Sequence, residues 1–490
     1  MSITDRVAKG VKATFGARIV DIAANAVLTV ILARYLLTPD QFGLLFVVIS
    51  ILGVASMFGT LGFPSSVARY ITEYSEKDRT QIPQILRYSV GVIIALSLIV
   101  AVALTVGNSL VARIIDEPGI EPLLVIGGVY ILFEALSKYL SSVFQGLNRI
   151  ELSALVNSVS AIGRLLFAVV FTLAGYGAVG ALAGYAAGFA LSVTVGGTIL
   201  YQQYYRSIET APQLENGLFR RMVEYSVPLT ATRGATVIDK KVDTILVGVL
   251  LNPLAAGFYT IGKQVSDASI APASSLGFTI SPAFGEDKAG DRLENAAELY
   301  ELAMKNILIL YIPATVGLIL VAEPMVVHVF GPDYRAAAPV VQVMSLFVLA
   351  NSVNKITSDG LDFLGRARTR AIFKGGMAIA NVILNLLLIP TLGVIGAAIA
   401  TVITFSAYTI LCVYLITTEL PVTLRTVVRP VVKVTIISLG MGIVVLMLLP
   451  LVNGVITLLA IITAGVCVWA IGSTAWGLVD VRQVRSFIVS

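Results

Sequence analysis

The chain is 490 residues long and 57% hydrophobic, with 13% charged residues and a mean hydropathy of +0.90. The charged share is half that of an ordinary soluble domain, which excludes a soluble enzyme, a disordered chain and a nucleic-acid-binding module. The formal charge of +5 then points to basic loops beside a membrane rather than to a polyanionic partner.

The first fifteen residues carry Arg6, Lys9 and Lys12 without the compact apolar core of a cleavable signal. They read as a cytosolic lead-in helix over 1–15. Fourteen apolar segments follow, near 16–37, 44–63, 86–112, 122–143, 152–174, 178–201, 224–250, 254–282, 299–322, 338–361, 371–389, 393–416, 428–449 and 454–477. Each is long enough to cross about 30 Å of hydrocarbon at roughly 1.5 Å per residue. They are too long, and lack the alternation, for barrel strands. With the N-terminus in the cytosol, 22 Lys and Arg fall in the inner segments and tail, against three (Arg34, Arg113 and Arg335) at the outer face. That skew requires an even number of spans and places both termini in the cytosol of a cell whose cytoplasmic membrane the chain crosses many times. The loops are short and leave no room for a folded catalytic domain. Cys412, Cys467 and the lone His328 make no metal-ligand spacing, and no GxxxxGK[ST], HExxH or CxxC occurs. No catalytic residue, metal site or cofactor is expected.

The segments repeat. At an offset of 214, TVILARYLLTPDQFGLL of 29–45 matches DTILVGVLLNPLAAGFY of 243–259, aligning Pro39 with Pro253 and Gly43 with Gly257. Leu61-Gly62-Phe63 matches Leu276-Gly277-Phe278 at 215, Gly177 and Gly180 match Gly393 and Gly396 at 216, and Lys138 and Arg149 match Lys355 and Arg366 at 217. Six spans per repeat make both copies enter from one side, so the repeat is parallel. The expected organisation is an N-lobe over 16–201, a cytosolic linker over 202–223, a C-lobe over 224–416, two extra helices within 417–477, and a cytosolic tail over 478–490. Two such lobes imply a cleft and a rocking, alternating-access motion.

Ionisable groups inside spans cost about 2.5–3.5 kcal/mol each on insertion scales. Nine cations fall within spans or near their ends: Arg18, Lys138, Arg164, Arg233, Lys240, Lys241, Lys263, Lys305 and Lys355. Seven acids do so: Asp21, Glu134, Asp239, Asp243, Asp267, Asp359 and Asp362. Glu134 with Lys138, Lys263 with Asp267 and Lys355 with Asp359 are i,i+4; Arg18 with Asp21 and Lys240 with Asp243 are i,i+3, so pairing along one helix is expected. Arg164 and Arg233 have no local acid, and Arg233 lies roughly 15 Å into its span. The run Asp239-Lys240-Lys241-Val-Asp243 covers much of a helix circumference, so span seven must line protein or a wet cavity. The excess of cations suits an anion, and arginine in particular grips phosphate through its planar fork.

At these residues the chain resembles the polysaccharide-exporter, O-antigen-flippase-like branch of the multidrug/oligosaccharidyl-lipid/polysaccharide superfamily. The carrying segments are LARYLLTPDQFGLL, GTLGFPSSVARYITEY, VDTILVGVLLNPLAAGFYTIG, VFGPDYRAAAPVVQVM and NVILNLLLIPTLGVIGAAIAT. The resemblance implies a flippase moving a polyprenyl phosphate or diphosphate sugar between leaflets for surface polysaccharide or glycan biosynthesis. It also implies a cleft lined by helices one, two, seven and eight. On that reading Arg18, Arg164, Arg233, Lys240, Lys241 and Lys263 meet the phosphate and sugar. Thr230, Thr232, Asn25 and Gln264 also meet the sugar, and Asp21, Asp239, Asp243 and Asp267 take up H⁺ or Na⁺ to couple the cycle. Lipid-linked saccharide, membrane lipids and glycan-assembly enzymes are the implied partners. A cation-coupled multidrug antiporter on the same six-plus-six plan is the alternative, disfavoured by the two extra spans and the positive cleft. A sugar polymerase or ligase would need a larger outer domain.

Overall fold

The computed structural model describes residues 3–290 and 292–478, the side chains of 3–14, 231–233, 278–279, 282, 289, 424–425 and 427 excepted. Every regular element among the described residues is helical. The chain condenses into two compact units, 1–257 and 258–490.

The first unit holds α1 (Ile3–Ile31), α2 (Pro39–Thr60), α3 (Phe63–Lys77), α4 (Ile82–Val106), α5 (Asn108–Ile115), α6 (Ile120–Gly146), α7 (Ile150–Phe171), α8 (Gly177–Leu200) and α9 (Leu218–Leu250). The lead-in and the first span are one continuous helix, because no breaker separates them. The second unit takes most of α10 (Pro253–Ser269), then α11 (Ala271–Ala289), α12 (Leu293–Val329), α13 (Ala338–Phe363), α14 (Ala367–Leu392), α15 (Val394–Glu419), α16 (Leu424–Leu448) and α17 (Val455–Ala475). Span eight of the sequence is two helices, α10 and α11, with Pro272 in the first turn of the second, where its missing N–H costs no hydrogen bond.

Among the described residues, eleven stretches are long and apolar enough to cross a membrane, and one of them, 150–205, contains both α7 and α8. The expected spans left out of that set are seven and eight, α9 and the α10–α11 pair. Those are the elements carrying Asp239, Lys240, Lys241, Asp243, Lys263 and Asp267. The count of fourteen therefore rests on these two charged elements.

The repeat is visible in how the helices begin and end. α2 starts at Pro39 with the Thr38 hydroxyl accepting from Gln41 N–H at 3.3 Å. α10 starts at Pro253 with Asn252 Oδ1 accepting from Ala255 N–H at 2.8 Å. Both pair an N-cap oxygen with proline at the first helical position. Between α6 and α7 Asn148 is left-handed at φ 56°, and Arg149 N–H reaches back to Phe144 C=O at 2.8 Å; between α13 and α14 Gly365 has φ 79°, and Arg366 N–H reaches Leu361 C=O at 2.8 Å. This is one helix stop made twice. The α7–α8 and α14–α15 hairpins turn at Gly177 (φ 52°, ψ −138°) and Gly393 (φ 63°, ψ −147°), a backbone state open essentially to glycine alone.

Close helix contact and a strapped loop hold the first unit in shape. α8 lies against α7 backbone to backbone: a Cβ at Gly188 would stand 2.3 Å from the Arg164 nitrogen, and one at Gly184 would stand 2.2 Å from Ala168 Cα. Two small residues four apart thus permit the close approach. On the basic side, α3 buries Phe63, Val67, Tyr70, Ile71 and Tyr74 against α4 and α6. The segment after α8 is strapped over it. Ala211 N–H bonds Thr80 C=O at 2.9 Å, Gln84 donates to Ala211 C=O at 2.8 Å, and Glu215 accepts from Tyr74 at 2.6 Å and Arg221 at 2.7 Å. In the second unit, Val321, Met441, Val445, Leu458 and Ile461 pack α16 and α17 onto α12. Glu301 accepts from Thr423 N–H and the Thr426 hydroxyl, each at 2.6 Å.

Filling the α7–α8 contact should be costly. Gly188→Val is expected to lower stability by about 1–3 kcal/mol in thermal melts in detergent, while Gly197→Ala, which meets open space, leaves the melt unchanged or slightly raised. The strap should be acid-sensitive. The Tyr74 hydroxyl, then Lys77 and Arg221, hold the Glu215 carboxyl below its ordinary 4.5. A depressed carboxyl gives stability that is complete above its ordinary value and is lost as pH falls through the lower folded value. The wild type should therefore lose more melting temperature than Glu215→Gln between neutral pH and about pH 3; equal losses would show that the strap carries none of it.

Candidate functional site

Within the first unit, α1, α6, α7 and α8 enclose a polar groove of about 660 Å³. Its walls follow from helical periodicity. Ser153, Asn157, Ser160 and Arg164 fall at i, i+4, i+7 and i+11 on one face of α7, opposite Glu134, Ser137, Lys138 and Gln145 of α6. Arg18 and Asp21 of α1 and Phe189 of α8 complete it. From Ile150 to Arg164 the α7 stripe runs about 21 Å at 1.5 Å per residue.

Three cations and two acids line the groove, leaving one positive charge in excess. Lys138 Nζ pairs with Glu134 Oε1 at 2.8 Å, as the i,i+4 spacing led one to expect, and reaches the Ser56 hydroxyl of α2 at 3.4 Å. Arg164 pairs with Asp21 Oδ1 at 2.6 Å. This corrects one expectation, the Arg18–Asp21 pairing. The acid missing from the Arg164 helix is supplied by α1, and Asp21 reaches across to α7 instead of pairing with Arg18. Helix rise and side-chain direction explain it: the Arg164 side chain is only 18% exposed and its charge needs a partner, whereas Arg18 is exposed and solvated. Arg164 Nε also donates to Ser160 C=O at 3.4 Å, and the guanidinium lies 5.3 Å from the Phe189 ring centroid and 5.8 Å from that of Tyr185. A carboxylate, a carbonyl and two aromatic faces thus fix its plane. Arg18 has no ion-pair partner among the described residues and carries the groove's excess charge.

Of the sequence-predicted residues, the groove gathers Arg18, Asp21 and Arg164. Lys240, Lys241, Asp239 and Asp243 lie on α9 of the same unit and do not line it. Lys240 is exposed, Asp243 is 2% exposed, and the Lys241 stem lies against Gly53 of α2, its Cε 3.2 Å from where a Cβ would stand. Lys263, half-buried, and Asp267, exposed, are on α10 in the second unit. The side chains of Arg233 and Thr232 lie outside the described residues. The Thr230 hydroxyl donates to Ser226 C=O at 2.9 Å on its own helix. Ser153, Asn157 and Ser160 are not among the sequence-predicted residues, although the 3.6-residue spacing leading to Arg164 marks them; Gln145, on α6, carries no such signal. The second unit has its own cavity of about 350 Å³ beside α12, α16 and α17, lined by groups such as Tyr311, Gly317, Met441 and Trp469 and by no ionisable side chain other than that tyrosine. It is built for apolar matter.

The family of polysaccharide biosynthesis proteins matches residues 7–286 of the chain. The chain is 24% identical over 169 residues to the probable low-salt glycan biosynthesis flippase Agl15 of Haloferax volcanii, covering 34% of the chain and 36% of that relative's length. It is 25% identical over 422 residues to the lipopolysaccharide biosynthesis protein WzxC of Escherichia coli K12, covering 82% of the chain and 77% of the relative. The lipid II flippase MurJ in an inward closed conformation shares the fold: TM-score 0.76 at 18% identity, over 95% of this chain and 98% of that one. With more than half its length inside the family's match, this all-helical, multi-pass membrane chain belongs to the polysaccharide biosynthesis protein family.

Proposed function

We propose that the protein is a flippase that carries a lipid-linked oligosaccharide, a polyprenyl phosphate or diphosphate sugar, across the cytoplasmic membrane by alternating access, for surface polysaccharide or glycan biosynthesis. The carrying observation is the groove of the first unit: a polar, net-positive channel wall on apolar membrane helices, with one arginine open and one preorganised. The relatives named flippases support the same reading. A cationic drug would call for an excess of acids, so the groove argues against the multidrug alternative.

In the proposed cycle the isoprenoid tail stays in the bilayer and only the headgroup enters. Arg18, lacking an ion-pair partner, meets the phosphate first. Arg164 then exchanges Asp21 for phosphate oxygens, which its fork matches in two parallel bonds. The displaced Asp21 takes up H⁺ or Na⁺, and release of that ion lets Asp21 recover Arg164 and expel the headgroup. Each unit charge moved through 100 mV is worth about 2.3 kcal/mol, enough to bias such an exchange. Lys240, Lys241, Lys263 and Arg233, with Asp239, Asp243 and Asp267, serve the same headgroup elsewhere along its path. No bond of the substrate is made or broken, so the protein acts as a transporter and leaves chemistry to glycan-assembly enzymes acting before and after it. The concentration of Lys and Arg in alternate loops supports a topology with both termini in the cytosol.

Reconstitution into liposomes with fluorescent polyprenyl-phosphate sugars tests this. Wild-type protein is expected to move the label between leaflets. The Arg18→Gln, Arg164→Gln double variant should be slower by at least about tenfold, the equivalent of roughly 1.4 kcal/mol for one lost charge-assisted contact. Unchanged flipping in that variant, or none in the wild type with any sugar, would overturn the proposal. Collapsing the ion gradient with ionophores should slow the wild type; an insensitive rate would remove the coupling step.

A further inference from the structure

The groove's lining changes along its length. Arg164, Asp21 and Phe189 stand at one end; the neutralised Lys138–Glu134 pair lines the α6 wall between; and toward the α6–α7 turn come Asn157, Ser153 and Gln145, none of them charged. Asn157 is exposed into the groove and makes no hydrogen bond among the described residues. On a helix buried in a bilayer, an open carboxamide is tolerated only where water or a ligand completes its bonding. Gln145 is held in place: its Nε2 donates to the Ser153 hydroxyl at 3.1 Å, and that hydroxyl also bonds Ser141 at 2.7 Å. It lines the same stretch of groove.

We propose that Asn157, seconded by Gln145, is the saccharide-reading part of the site, selecting for a sugar attached to the phosphate that Arg164 and Arg18 hold. The inference rests on the flippase reading and deepens it. A carboxamide offers two donors and an acceptor with two lone pairs, the pattern that adjacent sugar hydroxyls complement. Being neutral, it does not compete with arginine for the phosphate. Spacing sets the assignment. Asn157 stands seven residues before Arg164, about 10 Å along α7, the reach of a phosphate joined to a pyranose. The sugar nearest the phosphate therefore meets Asn157, and the next lies toward Gln145 and the mouth at Ile150. Phosphate recognition and sugar recognition are separate positions on one helix stripe, so they can be altered separately.

The test measures binding of two probes to the full chain in nanodiscs: a polyprenyl monophosphate, and the same lipid phosphate carrying one hexose. Wild-type protein is expected to prefer the hexose-bearing lipid about tenfold. Asn157→Leu, similar in size but unable to hydrogen-bond, should bring the preference close to unity with bare-phosphate binding unchanged. Asn157→Gln should keep part of it. Arg164→Gln should weaken both lipids alike. A preference that survives Asn157→Leu, or bare-phosphate binding that falls with it, overturns the sugar-reading role while leaving the flippase reading standing. Wild-type protein that binds neither lipid overturns both. Melting temperatures of the variants, expected to match the wild type because Asn157 has no internal bond to lose, separate misfolding from lost recognition; if Asn157→Leu melts lower, the Asn157→Gln preference decides.

Discussion

A charge carried into hydrocarbon must find a partner or water, and this requirement organises the interior of the first unit. Glu134 and Lys138 meet it along a single helix at 2.8 Å. Asp21 and Arg164 meet it between α1 and α7 at 2.6 Å, joining residues 143 positions apart. Removing one member of such a pair strands the other, which is worse than having neither, so the Asp21–Arg164 pair holds α1 and α7 in register. The surplus falls on Arg18, an exposed cation with no ion-pair partner among the described residues. The site is consequently attractive to an anion while remaining stable without one.

The duplicated design shows what the fold needs twice. The chain reversals recur residue for residue: a left-handed Asn148 or Gly365 followed by an arginine whose N–H closes the same backbone bond, and Gly177 or Gly393 at the next hairpin. These positions are set by backbone geometry and tolerate few alternatives. The acids and cations inside the spans are not duplicated in the same way. Glu134 precedes Lys138 by one turn, whereas Asp359 follows Lys355 by one turn. What is kept between the halves is the scaffold; what differs is the electrostatics mounted on it.

That distinction explains what could be read from the sequence. Helix punctuation is local, so Pro39, Pro253, Gly177 and Gly393 announced element starts and turns, and the repeat followed from them. Pro272 also marked a break inside span eight, but a long apolar run outweighed it. The partner of Arg164 was hidden because it lies on another helix, and no spacing rule links residue 21 to residue 164. The stripe of Ser153, Asn157 and Ser160 was present at helical period but looked like small and polar packing residues within an apolar run. Only the neighbouring helices reveal that a groove opens beside this face of α7.

The two sides of α7 in fact bear different constraints. One side, with Leu155, Ile162, Leu166 and Val170, is exposed; the other carries the groove stripe and, from Arg164 onward, the backbone contact that Gly184 and Gly188 of α8 permit. Exchanging Asn157 for another polar group therefore leaves helix positions fixed, whereas enlarging Gly188 displaces the backbone of Arg164 itself. Recognition and packing share this face of α7 but occupy successive levels along it, and they meet at Arg164, whose side chain enters the groove and whose backbone touches Gly188.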